Sequence, residues 1–177
     1  MTSENAKVIA EAMAAMWHGE FPATVRVLSA VSDANRDYKP HDRSRSAWEL
    51  TTHMATSDMW FIDCITAGKF VFDAEQAKKA ESAFKTVQDV VSYYEKTFPG
   101  KLTALSNMPA ESLAESVDFF GMMNMPRAQW IGFANNHSVH HRGQLYLMLG
   151  MIGVVTPPLY GLTSEEVQAR SESLETD

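Results

Sequence analysis

The 177-residue sequence contains one cysteine, Cys64, and no extended run of lysine or arginine. A single cysteine excludes an intramolecular disulfide framework and any zinc site built from several cysteines. The 22 acidic residues outnumber the 15 lysines and arginines and give a formal net charge of −7. Because neutralising phosphates requires a basic surface, this composition argues against a nucleic-acid-binding protein.

Long hydrophobic runs are also missing. The longest mostly apolar stretch, Leu145 to Val155, is about half of the ~20 residues that a membrane-spanning helix requires. Near the N-terminus, Glu4, Lys7 and Glu11 interrupt the apolar segment that a secretory signal would need. We therefore expect a single domain over residues 1–177, located in the cytoplasm.

The apolar residues follow a helical period through most of the chain, which has neither internal repeats nor Asn-Gly or Asp-Gly hairpin signals. Three- and four-residue spacings predict a first helix from Asn5 to about Val31. We expect it to bend or break near Gly19 and Pro22, because proline removes an interior hydrogen bond. A third helix is expected from about Glu75 to Thr97, interrupted by Pro99-Gly100.

The second predicted helix has clear signals at both ends and runs from Ser44 or Ser46 to Ala67. Ser46 and Glu49 form the S-x-x-E pattern of a capping box. Gly68 follows the last predicted helical residue and can adopt the left-handed conformation that ends a helix. These signals predict the position of the second helix along the chain.

The C-terminal half is predicted to contain one long and one short helix. Residues Ser116 to Phe120 are expected to be extended, and Asn124-Met125-Pro126 begins a fourth long helix that ends near Gly150. A short acidic helix opens at Thr163 or Ser164. Together the segments predict an all-α fold, a four-helix up-down bundle with a short additional C-terminal helix.

Three histidines form a candidate metal site. His137 and His141 lie one turn apart on an otherwise apolar face of the fourth helix, a spacing at which two imidazoles can bind one metal ion. His53, with Glu49 one turn before it, is the third. Three imidazoles would leave coordination positions free, as in a catalytic site. The spacing alone fits a pair of hydrogen-bonded core histidines about equally well.

Several segments resemble the DinB family of metalloenzymes. They are Asp37 to His41, Ser44 to Leu50 leading to His53, His137 to Leu145 (HSVHHRGQL), and Pro157 to Gly161. The resemblance covers most of the chain. It implies a four-helix bundle, commonly homodimeric, with a divalent metal bound by His53, His137 and His141. The family name refers to induction by DNA damage and implies no DNA binding.

Other polar residues near the histidines have both functional and structural interpretations. Glu49, Gln144 and His140 are candidates for outer hydrogen-bond partners of the ligands, since metal-bound imidazoles usually have one. A hydrogen bond across the bundle explains Gln144 equally well, and packing explains His140. Arg142 points about 140° away from His137 on the helical wheel, so we expect it to contact a neighbouring helix or loop. Cys64 is expected to be an inert core thiol.

The predicted cofactor is a divalent transition metal, zinc, nickel or iron. Such an ion acidifies a bound water or thiol, and the resemblance implies transfer or isomerisation with a low-molecular-weight thiol. A metal-dependent thiol S-transferase or related detoxification enzyme is therefore the leading hypothesis. A metal-dependent hydrolase and a non-catalytic, stress-related metal-binding bundle are the alternatives. The expected partners are a small-molecule substrate and a second copy of the chain, and no nucleic acid or membrane.

Overall fold

The computed structural model describes residues 1–175, and most of this range is helical. Its elements, in chain order, are α1 (Ser3–Ala30), α2 (Ala47–Ala67), α3 (Ala74–Ser82), α4 (Val87–Ser106), α5 (Ala110–Ala114), β1 (Ser116–Phe119), β2 (Met123–Pro126), α6 (Arg127–Met151) and α7 (Ser164–Glu175).

The four long helices, α1, α2, α4 and α6, form a four-helix bundle. α1 and α2 each pack against both α4 and α6, so α1 and α2 lie diagonally opposite each other although they are consecutive in the chain. Large side chains, including Trp17, Tyr94, Phe98 and Trp130, are buried between the helices. The predicted all-α bundle with an additional C-terminal helix is confirmed.

The predicted breaks in two long helices are wrong. α1 continues through Gly19 and Pro22, and α4 continues through Pro99. A proline leaves the carbonyl four residues earlier without its helical partner. Here those carbonyls belong to His18 and Glu95, which are both exposed, so water can hydrate them. Packing on the buried faces of the helices then outweighs the local cost of the prolines.

The predicted third helix is two helices in the structure. Residues 83–86 separate α3 from α4, because Thr86 begins α4 with a capping box. The Thr86 side chain accepts a hydrogen bond from the Asp89 backbone N–H, and the Asp89 carboxylate accepts from the backbone N–H groups of Thr86 and Lys85. The T-x-x-D pattern is the local signal that places this boundary.

A small antiparallel hairpin precedes α6. β1 pairs with β2 in a register that runs from Ser116 opposite Pro126 to Phe119 opposite Met123. The extended segment predicted at 116–120 is confirmed for Ser116–Phe119 but not for Phe120, and the partner strand replaces the expected first turn of the fourth helix. Phe120 adopts a left-handed backbone conformation (φ 53°) in the turn. A phenylalanine is not a typical residue for that conformation, which explains why no hairpin signal is visible in the sequence.

α1 buries small residues and exposes two large apolar ones. Ala6, Ala10 and Ala14 are in the core, whereas Val8 and Met16 are 61% and 57% exposed. The buried alanines allow close packing between α1 and its neighbours. Within residues 1–175, no helix combines the length and the hydropathy needed to cross a membrane.

Candidate metal centre

The ends of α2 are fixed by the signals that the sequence contains. The Ser46 hydroxyl accepts a hydrogen bond from the Glu49 backbone N–H at 3.1 Å, and the Glu49 carboxylate accepts from the Ser46 N–H at 2.6 Å. Gly68 ends the helix in the left-handed conformation with φ +74°. Both predictions are confirmed. This local folding sets where His53 lies along the face of α2 that packs against α6.

The packing of α2 against α6 brings His53, His137 and His141 together. Each offers a ring nitrogen, and the three nitrogens lie within 4.8 Å of one another. The Nε2 atoms of His137 and His141 are 3.2 Å apart. A tetrahedral zinc ion with Zn–N bonds of about 2.0–2.1 Å separates its ligand nitrogens by roughly 3.3 Å, so the three imidazoles fit a single ion after small adjustments.

The hydrogen bonds of the cluster determine which nitrogen of His141 faces the other histidines. Gln144 Oε1 lies 2.8 Å from His141 Nδ1. Because this oxygen accepts, His141 carries its proton on Nδ1 and has a lone pair on Nε2. His141 Nε2 lies beside His137 Nε2, so these two nitrogens are the ones placed to bind an ion or, without one, to share a hydrogen bond. The Nδ1 atom of His137 is buried and has no hydrogen-bond partner among residues 1–175.

Electrostatics keep all three imidazoles neutral at physiological pH. Burial, and secondarily the positive charge of Arg45, lowers the pKa of His53 to about 3. Burial and the neighbouring His141 lower the pKa of His137 to about 4. Burial also lowers the pKa of His141. Neutral imidazole is the form that binds metal, so the ligands need not release a proton first.

The surroundings of the cluster differ on its two sides. Aromatic rings close one side, where Phe61 lies 5.1 Å from the His137 ring, measured between centroids, and itself packs on Phe133. On the other side, His141 and Gln144 line a cavity of about 400 Å³. Within the described chain, no carboxylate or thiol joins the three imidazoles. The site therefore has free coordination positions and a route for a small molecule.

Glu49 and His140 differ from Gln144 in what their side chains contact. The Glu49 carboxylate caps α2 and lies 3.2 Å from the ammonium of Lys39, so its contacts are structural. His140 is exposed, with its ring 5.1 Å from that of His141 and edge-on to it. Only Gln144 of the three candidates makes a hydrogen bond to a ligand in the described residues. Cys64 is buried, and burial raises the pKa of its thiol.

A buried polar cluster beside the site was not predicted from the sequence. One carboxylate oxygen of Asp58 accepts hydrogen bonds from Tyr94 Oη at 2.8 Å and from Ser138 Oγ at 2.9 Å. Its other oxygen is buried without a partner in the described chain. Burial raises the pKa of Asp58 to about 7. An aspartate on the inward face of α2 is the one sequence signal for this cluster, which links α2, α4 and α6 next to His137.

Arg142 lies on the opposite side of α6 from the histidines and is fully buried. It donates hydrogen bonds to the Glu20 carbonyl and the Thr24 hydroxyl of α1, both at 3.2 Å. It also pairs with the Glu20 carboxylate and with the Tyr160 hydroxyl. As the helical wheel predicts, Arg142 contacts a neighbouring helix and a loop.

Sequence comparison identifies the family to which this helical bundle with its three clustered imidazoles belongs. A sequence model of the DinB family matches residues 1–175. The protein therefore belongs to the DinB family. Uncharacterized protein YjoA of Bacillus subtilis (strain 168) is 28% identical over 141 residues, which cover 77% of this chain and 86% of YjoA.

Solved structures share the fold at lower identity. A DinB-like protein from Bacillus cereus has a TM-score of 0.68 and 22% identity, covering 85% of this chain and 97% of the other. YfiT from Bacillus subtilis is named as a probable metal-dependent hydrolase with an unusual four-helix bundle topology. It has a TM-score of 0.65 and 13% identity, covering 88% of this chain and 91% of YfiT. A mycothiol-dependent maleylpyruvate isomerase, solved as a histidine-to-alanine mutant, has a TM-score of 0.53 and 12% identity, covering 88% of this chain and 62% of the isomerase.

Proposed function

We propose that this protein is a metal-dependent enzyme that binds a divalent transition metal through His53, His137 and His141 and acts on a small molecule. The observation that carries the proposal is the convergence of three neutral imidazoles, with nitrogens within 4.8 Å of one another, one of which, His141, lines an open cavity. Imidazole ligands suit zinc, nickel and iron. A divalent ion there supplies Lewis acidity and lowers the pKa of a water or thiol that reaches it.

The surrounding residues have separate roles in this proposal. Gln144 accepts the Nδ1–H of His141 and so keeps the Nε2 lone pair directed at the cluster. Phe61 and Phe133 exclude water from one side, which limits access to the side of the cavity. Buried Asp58 holds α2, α4 and α6 together near His137.

Among metal-dependent reactions, we propose thiol S-transfer with a low-molecular-weight thiol as the leading activity. The three-imidazole site leaves room for an exchangeable ligand. The thiol must come from outside the protein, because Cys64 is buried and burial raises its pKa. A mycothiol-dependent isomerase shares the fold, which supports the proposal by analogy.

Metal-assisted hydrolysis is the second candidate. The same cluster and cavity would serve it, and YfiT, which shares the fold, is named as a probable metal-dependent hydrolase. A non-catalytic metal-binding bundle is the third. The free coordination positions and the adjoining cavity disfavour it, because a structural metal site normally has four protein ligands.

The decisive experiment combines metal analysis with activity assays on the purified protein. We expect about one metal ion per chain, conjugation of a low-molecular-weight thiol to one or more electrophiles from a panel, and loss of this activity on chelation with recovery on metal addition. Hydrolysis of ester or amide substrates in place of conjugation would establish the second candidate. Activity that survives complete metal removal would reject both.

Chelation also separates a catalytic metal from a structural one. The core of the bundle consists of apolar side chains packed between four long helices, so the chain is large enough to fold without metal. We expect the metal-free protein to remain helical and to unfold cooperatively, at a lower melting temperature. Collapse of the helical circular dichroism signal on chelation would favour the non-catalytic, structural role.

We further propose that the protein is a cytoplasmic homodimer. The exposed apolar residues of α1, Val8 and Met16, are suited to an interface between copies. Light scattering at micromolar concentration should give twice the mass of the chain, and a monomer mass would reject the dimer. Replacement of Val8 by lysine should shift the mass toward that of the monomer if this face forms the interface.

A further inference from the structure

We propose that the cavity beside His141 binds the anionic end of an amphiphilic substrate, with Arg45 and Arg43 as anion-binding residues and an apolar wall for the substrate's carbon chain. This inference rests on the proposed function, since it identifies the substrate class of the same site. The shared chemistry is a carboxylate or a phosphate attached to an apolar chain, either of which suits a guanidinium group.

The cavity joins a cationic side to an apolar side. Arg43 and Arg45 come from the loop that precedes α2 and line one part of it, and Leu147 and Met151 of α6 line another. Leu147 and Met151 are 65% and 59% exposed and lie one turn apart on the same face of α6, so together they form an apolar wall of the cavity. The volume of about 400 Å³ lies within the range of small-molecule sites.

The two arginines of the cavity are together and have no carboxylate partner. Arg36, Arg127 and Arg142 are each paired with an aspartate or glutamate. Arg26 and Arg170 form no ion pair in the described residues, but neither lines this cavity. Neither Arg43 nor Arg45 forms an ion pair within residues 1–175, and no acidic residue of that range lines the cavity. In a protein with a net charge of −7, this is a local concentration of unpaired positive charge.

Arg45 and His141 line the same cavity. An anion held by Arg45 would therefore lie in the cavity that adjoins the histidine cluster. The part of the bound molecule next to its anionic group is then the part that can reach the cluster.

Calorimetry with four compounds of equal chain length tests the proposal. Octanoate, octyl phosphate, 1-octanol and octylamine are titrated into the metal-loaded protein. We expect octanoate or octyl phosphate to bind about tenfold or more tightly than 1-octanol, and octylamine to bind most weakly. The tighter of the two anions identifies the anionic group. Equal affinity for octanoate, octyl phosphate and 1-octanol would overturn the proposal.

Substitutions separate recognition by arginine from direct binding to the metal. Arg45→Gln should weaken binding of the preferred anion about tenfold, because a hydrogen bond to a charged group is lost, and should leave 1-octanol binding unchanged. Leu147→Ser should weaken both compounds. Arg170→Gln removes the same charge from α7, outside the described lining of the cavity, and should change neither. An anion affinity that is the same in Arg45→Gln and the unmodified protein would overturn the proposal.

Separate measurements of metal binding and of anion binding distinguish this inference from the proposed function. If no metal binds but the anion still binds in an Arg45-dependent manner, the metal-dependent function fails and the anion site stands. If metal binds with one ion per chain but anion binding is independent of Arg45, the metal site stands and the anion site fails.

Discussion

α6 carries polar side chains on two sides, and the two sides differ in what those groups contact. On one side, Arg142 donates to Glu20 and Thr24 of α1 and pairs with Tyr160. On the other side, His137 has a buried nitrogen without a partner in the described chain. We call these the arginine side and the histidine side of α6.

Arg142 is hydrogen bonded to several partners, which indicates a structural role, because buried polar groups that serve only the fold are almost always paired. It joins α6 to α1 and to the loop at Tyr160. On the other side, three neutral imidazoles converge, with no carboxylate or thiol among them in the described chain, which indicates a ligand-binding role. Substitutions on the two sides should therefore affect different properties.

The largest expected effect is on the histidine side. His137→Ala and His141→Ala should each reduce metal affinity by at least about 100-fold, because even loss of an outer partner of a ligand costs about 10–100-fold. Metal content after dialysis and competition with a chelator measure this. His18→Ala, at an exposed position on α1, is the matched control and should retain metal. Full retention in both ligand variants would refute the assignment of His137 and His141.

A substitution on the arginine side should lower the folding stability of the protein. Arg142→Met leaves the Glu20 carboxylate with only its hydrogen bond from Tyr160 Oη, and breaking a buried pair costs about 3–5 kcal/mol. Because Glu20 is partly exposed, we expect a loss of about 2–3 kcal/mol in the free energy of unfolding, measured by urea denaturation. Metal affinity should remain within about twofold, since Arg142 faces α1. Arg170→Met, an exposed control, should leave stability unchanged; equal stability of the Arg142→Met variant would contradict the structural role.

Gln144 tests whether pairing on the histidine side matters for the metal. Gln144→Ala removes the acceptor of the His141 Nδ1–H, and loss of such a partner lowers metal affinity about 10–100-fold. Gln144→Glu retains an acceptor and should restore most of the affinity. Stability of the metal-free protein should change little, because Gln144 is exposed. If the alanine and glutamate variants bind metal equally, Gln144 has no orienting role.

The parts of the fold that follow from local rules were predictable from the sequence. The ends of α2 depend on Ser46, Glu49 and Gly68, and each acts on backbone groups within a few residues. The continuity of α1 through Pro22 was not predictable, because it depends on packing against α4 and α6. The hairpin was missed because Phe120 occupies a turn conformation that sequence patterns assign to glycine or asparagine.

The candidate site also has features that follow from local spacing and features that depend on packing between helices. The pairing of His137 with His141 follows from their spacing on one helix. His53 is a candidate because of its inward position on α2, but its approach to the other two histidines depends on how α2 packs against α6 and was implied only by the family resemblance. Asp58 was missed because its partners, Tyr94 and Ser138, lie on two other helices. Groups that act across helices become visible only in the packed bundle.

Asp58 gives a test of sign, which is measured as a change in the slope of stability against pH. Burial raises its pKa to about 7, so between about pH 4 and pH 7 the folded protein holds a proton that the unfolded chain has released. Stability from this group is therefore present at low pH and is lost as the pH rises through 7. The histidines act in the opposite direction, because their folded pKa values are lowered and their contribution is lost as the pH falls below about 6.5.

Asp58→Asn removes the carboxyl titration and keeps an acceptor for Tyr94 and Ser138. In the metal-free protein, stability of this variant should rise more steeply between pH 4 and pH 7 than that of the unmodified protein. One proton accounts for a difference in slope of at most about 1.4 kcal/mol per pH unit. Asp37→Asn, at an exposed position in the loop before α2, is the control and should reproduce the unmodified profile. Parallel profiles for Asp58→Asn and the unmodified protein would mean that Asp58 is ionised in the fold and that its hydrogen bonds to Tyr94 and Ser138 outweigh the cost of burying its charge.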